Sequence, residues 1–244
     1  MSNVYSIIFS SIIIFFASMI QGTIGFGFSL ISVPLLTFIL PIKIIVPIVV
    51  IYSLVNNIMV VVTTRKHIRL SEIWIMIVCG IIGIPIGVYG LKNLNPELLK
   101  FVIGVLICIT SISMAKGYKV KFKRVRISYG ITGFISGILN GSLSMSGPPI
   151  VLFLSNEGYD KDEFRANLAI YAMITNILTI IAFAFNDLLS TDMIHIIGTN
   201  ILVLLVGSYI GINIASKIED KYFEKIVLWL LTIVGIVTVV KVLI

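Results

Sequence analysis

Two stretches rich in glycine, serine and proline interrupt long uncharged apolar runs, and they constrain the fold of this chain more than any other feature. The first, residues 21–29, lies inside an uncharged run from residue 4 to residue 42, and the second, residues 140–149, lies inside a run from 127 to 156. Glycine and proline break helices, whereas a bilayer requires backbone polar groups to be paired within a helix. Non-helical backbone is tolerated at membrane depth only where it is buried in protein or lines a cavity. The two breaks therefore predict a functional site.

Composition assigns the chain to the integral membrane proteins. It is 58% hydrophobic and only 12% charged, with a mean hydropathy of +1.12, which is far too apolar for a soluble domain. The first apolar run is not read as a cleavable signal, because it lacks a basic beginning and is too long. Cys79 and Cys108 fall inside predicted spans, so no disulfide framework is expected. The net charge of +7 is assigned to loops that face the cytoplasm and anionic lipid rather than nucleic acid.

The length of the first run predicts a hairpin. As one helix, residues 4–40 would reach roughly 55 Å, against a hydrocarbon core of about 30 Å. The break divides the run into two arms, which return to the side from which the chain entered. The first predicted repeat, 1–115, comprises this hairpin (4–40) and spans at 44–64, 73–91 and 98–115. A basic cytoplasmic linker follows at 116–126, and the second repeat, 127–244, comprises a hairpin (127–156) and spans at 164–186, 193–216 and 223–243.

Weak internal similarity supports a duplication. A shift of 119 residues places Gly22 on Gly141 and Asn57 on Asn176. A shift of 124 places the Gly83–Gly87 pair on Gly207 and Gly211, which we assign to helix contact. The predicted fold is an all-α integral membrane protein with two pseudo-symmetric repeats. Each repeat is a broken or re-entrant hairpin plus three transmembrane helices, which gives 8–10 membrane segments.

The distribution of lysine and arginine favours inverted repeats. If the halves are inverted, the loops at 65–69, 116–126, 161–165 and 217–225 share one side, which then holds 14 of the 18 basic residues. Because basic residues concentrate in cytoplasmic loops, this arrangement is preferred and both termini are expected outside. If each broken run crosses the membrane only once, the repeats are parallel instead.

Three motifs carry a resemblance to a known family. The run Gly25-Phe26-Gly27-Phe28-Ser29, its counterpart at 141–149 and the sequence Phe164-Arg165-Ala166-Asn167 resemble the sulfite exporter TauE/SafE family, also called the toluene sulfonate uptake permease group. The resemblance covers essentially the whole chain. It implies a bacterial or archaeal inner-membrane transporter of sulfur-containing or organic anions, such as sulfite, sulfonates or sulfoacetate. The second motif departs from the family by carrying serines where glycines are usual.

Helix ends at the two breaks give a physical reason to expect an anion. The returning arm of each hairpin starts at the break, so its free N–H groups and positive dipole end point into the membrane. The alternative role for the glycines is close helix packing. Arg165 is expected to attract anions at the cytoplasmic mouth, and its alternative role is to snorkel at the membrane interface. Asn57 and Asn176 serve the site or hydrogen bonds between helices. The candidate substrate-binding residues are Gln21, Gly22, Thr23, Gly25, Phe26, Gly27, Ser29, Asn57, Asn140, Gly141, Ser142, Ser144, Met145, Ser146, Gly147, Pro148, Arg165 and Asn176.

The residue types that are missing limit the mechanism. All eleven Asp and Glu residues lie in or beside predicted loops, which disfavours a carboxylate-coupled cation pump. There is no nucleotide-binding glycine loop and no His/Cys cluster, so neither an enzyme nor a cofactor is expected. The favoured function is secondary transport of a small anion by alternating access around a site at the membrane midplane. An anion channel is the alternative, followed by a membrane enzyme or assembly factor. The expected partners are the anion and membrane lipid, without nucleic acid, and the sequence leaves open whether the chain forms a homo-oligomer.

Overall fold

The computed structural model describes residues 2–115, 125–155, 157–219 and 222, and within them the chain is helical, without a strand. Residues 116–124 of the predicted linker and the predicted span at 223–243 lie outside the described residues. α6 begins at Val125, inside the predicted linker. The helices are α1 (Ser2–Ile24), α2 (Phe28–Leu36), α3 (Ile42–Thr64), α4 (Leu70–Asn93), α5 (Pro96–Ala115), α6 (Val125–Leu143), α7 (Gly147–Leu154), α8 (Lys161–Phe185) and α9 (Thr191–Ala215), with a 3₁₀ turn at Arg65–His67.

Most of the long helices have the length and surface of membrane spans. Five of the described segments are long and apolar enough to cross a bilayer: Tyr5–Ile24, Ile42–His67, Leu70–Asn93, Lys161–Phe185 and Ile196–Ala215. Large apolar side chains such as Trp74, Ile82 and Leu202 are more than half exposed, as they would be when facing lipid. The prediction of an all-α integral membrane protein is confirmed.

The first hairpin returns to the face where it begins. Ser10 in the first half of α1, Leu40 just after α2 and Ile45 at the start of α3 line one apolar cavity. α2 has only nine residues, about 13 Å, so it reaches roughly half of the way back through the hydrocarbon core. The chain then turns at residues 37–41 and crosses fully as α3.

The second hairpin has the same plan and returns to the opposite face. Tyr129 near the start of α6 packs edge-to-face on Phe153 near the end of α7, with 4.5 Å between the ring centroids. The Tyr159 hydroxyl, just beyond α7, bonds to Glu72 at the start of α4. The two hairpins therefore enter from opposite sides, which agrees with inverted repeats, while the division at 116–126 stays a prediction.

Three basic segments meet on the face of the second hairpin. Arg69 pairs with Glu163 (Nε–Oε1 2.7 Å), and Lys161 Nζ donates to the Ile218 carbonyl at 2.7 Å. The Glu163 carboxylate raises the pKa of the Arg69 guanidinium, so this link stays charged at neutral pH. Lys43 lies on the other face, where it donates to the Lys92 carbonyl. We call the first of these the basic face and the second the opposite face.

Each hairpin packs against a helix of the other half through glycine. A Cβ at Gly22 of α1 would lie 3.3 Å from the Gly211 Cα of α9, and a Cβ at Gly141 of α6 would lie 3.2 Å from the Gly87 carbonyl carbon of α4. These are the positions that the shifts of 119 and 124 residues place in register. Since Gly22 and Gly141 bring backbones together, their observed contacts are helix packing.

The inverted arrangement predicts opposite labelling of the two faces. In a protein whose own Cys79 and Cys108 are replaced by alanine, a cysteine introduced at Lys66 on the basic face should react with an impermeant thiol reagent only from the cytoplasmic side. A cysteine at Asn95, beyond the end of α4 on the opposite face, should react only from outside. Both positions are exposed. Labelling of both cysteines from the same side would overturn the inverted model.

Candidate functional site

Each helix break has a left-handed residue directly after its first helix, and the first break has a second one at Gly27, with φ 102°. Gly25 follows α1 with φ 87°, and Ser144 follows α6 with φ 60°. The Gly25 N–H donates to the Gln21 carbonyl at 2.7 Å, and the Ser144 N–H donates to the Asn140 carbonyl at 2.9 Å. These are C-terminal helix caps, which usually need glycine because it has no Cβ. The two caps are 119 residues apart, although the second uses a serine and bears the strain of a side chain there.

The short returning helices point their N-terminal ends at each other. α2 begins just after Gly27 and α7 begins at Gly147, where a Cβ would lie 3.5 Å from the Phe26 Cβ. The first N–H groups of a helix have no partner within it, and the dipole adds partial positive charge. Pro148 and Pro149 remove two of these donors from α7. The second hairpin therefore depends more on its dipole and on the Ser146 hydroxyl than the first does.

A small polar cavity lies where the two helix ends meet. Its volume is about 20 Å³, which is little more than the ~10–15 Å³ that one water needs on the same measure. The described lining contains neither an acidic nor a basic side chain. The lining residues are Gln21, Gly25, Phe26, Gly27, Ser29, Leu30, Ser53, Asn57, Ser146, Gly147, Pro148, Leu168 and Ala172.

An amide pair stands beside each break. Gln21 Nε2 donates to Asn57 Oδ1 at 2.7 Å, and Asn140 Nδ2 donates to Asn176 Oδ1 at 3.0 Å. The two partners are 36 residues apart in both pairs. Only the first pair lines the cavity. The second is fully buried one turn of α8, about 6 Å, beyond Ala172.

The two amide pairs lie past the middle of two helices that run in opposite directions. Asn57 is the sixteenth of 23 residues in α3, which runs from the opposite face to the basic face. Asn176 is the sixteenth of 25 residues in α8, which runs the other way. The first pair is thus nearer the basic face and the second is nearer the opposite face.

The predicted site residues divide into two groups of nine. The structure places at the cavity Gln21, Gly25, Phe26, Gly27, Ser29, Asn57, Ser146, Gly147 and Pro148. The other nine lie behind the cavity wall, either in helix packing or in a second polar cluster that consists of Asn140, Ser144 and Asn176. They are Gly22, Thr23, Asn140, Gly141, Ser142, Ser144, Met145, Arg165 and Asn176.

The polar side chains in the second group differ in whether they have hydrogen-bond partners. Thr23 donates to the Met19 and Gly211 carbonyls, and Ser142 donates to the Ile138 carbonyl at 2.7 Å. These two side chains serve their helices and the contact between α1 and α9. In contrast, the buried Ser144 hydroxyl, Asn140 Oδ1 and Asn176 Nδ2 have no hydrogen-bond partner among the described residues. The second polar cluster therefore keeps free hydrogen-bonding capacity in an apolar setting, where an unpaired polar group is costly.

Arg165 corrects the prediction of an arginine at the cytoplasmic mouth. Its side chain is only 4% exposed and the residue is not part of the cavity lining, so it neither snorkels nor faces the cavity. Nη2 donates to the Gly22 carbonyl at 2.8 Å, and Nη1 lies 3.3 Å from Asp162 Oδ1. The guanidinium satisfies one of the free carbonyls at the end of α1 and offsets the negative end of its dipole. Arg165 thus holds the first break in place from behind.

Four cavity residues escape sequence reasoning. Ser53 lies one turn before Asn57 and so shares its helix face, which is the signal that would have identified it. Leu30 follows Ser29 in α2, while Leu168 and Ala172 form one face of α8. These three side chains carry no hydrogen-bonding groups, so only the packing of the helices reveals that they line the cavity.

Comparison with known proteins identifies a family. The model of the family described as Sulfite exporter TauE/SafE matches residues 10–238. The match includes both breaks, both amide pairs and Arg165. No curated protein and no solved structure matches the chain significantly.

Proposed function

We propose that this chain, which belongs to the sulfite exporter TauE/SafE family, transports small sulfur-containing or organic anions through the cavity between its two broken hairpins. The family makes the chain a multi-pass membrane transporter. The substrates proposed are sulfite, sulfonates and sulfoacetate, and the proposed location is the inner membrane of a prokaryotic cell.

The convergence of two half-helix N-terminal ends on one cavity carries the proposal. Each end contributes partial positive charge, and no described lining side chain is anionic. Serine hydroxyls at Ser29, Ser53 and Ser146 and the Asn57 amide add hydrogen-bond donors. An oxyanion would be held by dipoles and hydrogen bonds without a cation, which allows binding that is specific but reversible.

The positions of the two amide pairs support a proposal of alternating access. The cavity adjoins the pair nearer the basic face, while the pair nearer the opposite face is buried and keeps unpaired groups. A movement of the two hairpins past α3 and α8 would close the cavity at the first pair and open a cavity at the second pair. Because the cavity is narrow, admission of an anion requires such a movement. The anion would then pass between two similar amide pairs on opposite sides of the midplane.

An uptake panel tests the function. Protein reconstituted in liposomes should take up sulfite or a short sulfonate in preference to sulfate and carboxylates, and should show saturation and counterflow, measured with and without a pH gradient. Saturable flux without counterflow would indicate a channel instead. If none of the sulfur-containing anions moves, the proposed substrate class is wrong.

Ser146 supplies the first residue-level prediction. Its carbonyl accepts a hydrogen bond from Ser136 at 2.6 Å, while its side chain faces the cavity. Ser146→Ala removes a hydroxyl donor but keeps that backbone contact. A hydrogen bond to a charged group contributes about 1.5–3 kcal/mol, so affinity should fall roughly ten- to hundredfold in titrations of purified, monodisperse protein. Unchanged affinity would remove the second hairpin from the binding site.

A further inference from the structure

We propose that the Gln21–Asn57 amide pair selects an oxyanion that carries one proton on oxygen, such as hydrogensulfite, over the unprotonated dianion. The proposal rests on the proposed function and specifies the protonation state of the substrate at the same cavity. It comes from the hydrogen-bonding groups that the pair leaves unused.

A single hydrogen bond between two amides leaves one carbonyl and one NH₂ group with free capacity. Gln21 Nε2 donates to Asn57 Oδ1 at 2.7 Å, so Gln21 Oε1 and the Asn57 Nδ2 protons remain. Nδ2 makes one further contact, at 3.5 Å, to the Ser53 hydroxyl oxygen, which is longer than the about 2.7–3.2 Å of an ordinary N–H···O hydrogen bond. Gln21 Oε1 accepts no hydrogen bond from the described residues. If Asn57 donated to Gln21 instead, one acceptor and one donor would again be left over, with the acceptor on Asn57 and the donor on Gln21.

The free acceptor and the free donor belong to one bonded pair at the cavity wall. Asn57 is fully buried and Gln21 is 3% exposed, so the pair meets solvent only through the narrow cavity. An HO–S–O⁻ edge would donate its hydroxyl to Gln21 Oε1 and accept from Asn57 Nδ2. An unprotonated dianion would instead place an oxygen lone pair against the Gln21 carbonyl, and a buried acceptor would stay unsatisfied.

The second amide pair has the same polarity. Asn140 Nδ2 donates to Asn176 Oδ1 and to the Thr179 hydroxyl oxygen, both at 3.0 Å, which leaves Asn140 Oδ1 and Asn176 Nδ2 unpaired. Gln21 and Asn140, the two donors, are 119 residues apart, as are Asn57 and Asn176, the two acceptors. An ion that fits the first pair would therefore fit the second on its way across the membrane.

No titratable side chain faces the Gln21–Asn57 pair from the described cavity lining. α2 and α3 contribute only serine, asparagine and apolar residues there, and α8 contributes Leu168 and Ala172. Behind the wall, Arg165 donates to the Gly22 carbonyl, and Asp162 is paired with Arg165. Arginine keeps its charge throughout the neutral range. The protonation of the ligand would thus determine the pH dependence.

The experiment compares two anions in titrations of the purified protein. Sulfite gains a proton as the pH falls through the neutral range, whereas methanesulfonate remains an unprotonated monoanion and reports any titration of the protein itself. The ratio of the affinity for total sulfite to the affinity for methanesulfonate should rise at least about tenfold between a pH at which sulfite is the dianion and a pH at which it is hydrogensulfite. Binding of hydrogensulfite gains one hydrogen bond and avoids one unsatisfied acceptor, which together contribute on the order of 1.5 kcal/mol or more.

A double variant removes the acceptors. In Gln21→Met alone, Asn57 Oδ1 would lose its donor and could accept the proton of the ligand instead. The double variant Gln21→Met with Asn57→Leu removes both amide carbonyls, so the pH dependence of the sulfite-to-methanesulfonate ratio should flatten while methanesulfonate still binds at higher concentration. Leucine replaces methionine at Gln21 if the first double variant does not fold. Asn213→Met, an amide replacement at an exposed position of α9, should leave the pH dependence unchanged.

The outcomes separate this inference from the proposed function. Sulfite binding that does not depend on ligand protonation, or that keeps its pH dependence in the double variant, would overturn selection by the amide pair and leave anion transport intact. Failure of the wild-type protein to bind sulfite and methanesulfonate at any pH would overturn the proposed function.

Discussion

Asn57→Asp is expected to abolish anion uptake at neutral pH. Asn57 lies at the cavity wall between the two half-helix ends, and aspartate has nearly the same shape. A carboxylate about 4 Å from a bound anion repels it by about 4 kcal/mol at an effective dielectric constant near 20, which corresponds to roughly a thousandfold loss of affinity. Uptake into liposomes and direct titration with methanesulfonate would measure the loss.

Two companion variants distinguish charge from shape. Asn57→Leu removes the donor without adding a charge and should lose about ten- to hundredfold, clearly less than the aspartate variant. Asn213→Asp adds the same charge at an exposed site on α9 and should transport normally. The defect of Asn57→Asp should shrink as the pH falls, because protonation makes the new carboxyl neutral. Equal losses in the leucine and aspartate variants would mean that Asn57 supports the fold rather than the anion.

The sequence predicts the fold better than it predicts which residues face the site. Charge-free runs and the length limit of the hydrocarbon core are enough to place the helices, because membrane insertion depends on these local properties. The equivalence of Asn57 and Asn176 also follows from the sequence. The sequence does not say that only the first amide pair lines the cavity, because this depends on the conformation in which the hairpins are packed.

Arg165 and the glycines show the limits of such reasoning. An arginine at the start of a span is expected to reach water, yet Arg165 turns inward because the Gly22 carbonyl at the end of α1 needs a donor. Gly22 and Gly25 are only three residues apart, but one packs on α9 and the other lines the cavity. Both roles require the absence of a side chain, so residue type alone cannot separate them.

Gly211→Leu is expected to destabilise the protein and abolish transport, because this glycine lets the first hairpin pack directly on α9. A Cβ at Gly211 would lie 2.0 Å from the Met19 carbonyl oxygen and 3.0 Å from the Thr23 nitrogen. Both are backbone atoms of α1, so no side-chain rotation relieves the clash. The helices must separate, and α1 carries Gln21 and the break at Gly25 with it. Gly87→Leu should act alike at the second hairpin, where a Cβ would lie 2.1 Å from the Ile138 carbonyl oxygen.

Alanine gives a graded version of the same test. Overpacking of this kind costs about 1–3 kcal/mol and often more against rigid backbone, so Gly211→Ala should lower the thermal unfolding midpoint in detergent by roughly 5–10 °C. Gly198 provides a matched control on the same helix, because a Cβ there meets nothing within 4 Å. Gly198→Ala should therefore leave the midpoint and uptake near wild-type values. If Gly211→Ala were as stable and active as Gly198→Ala, α1 and α9 would not be in backbone contact, and the position of the first hairpin would have to be revised.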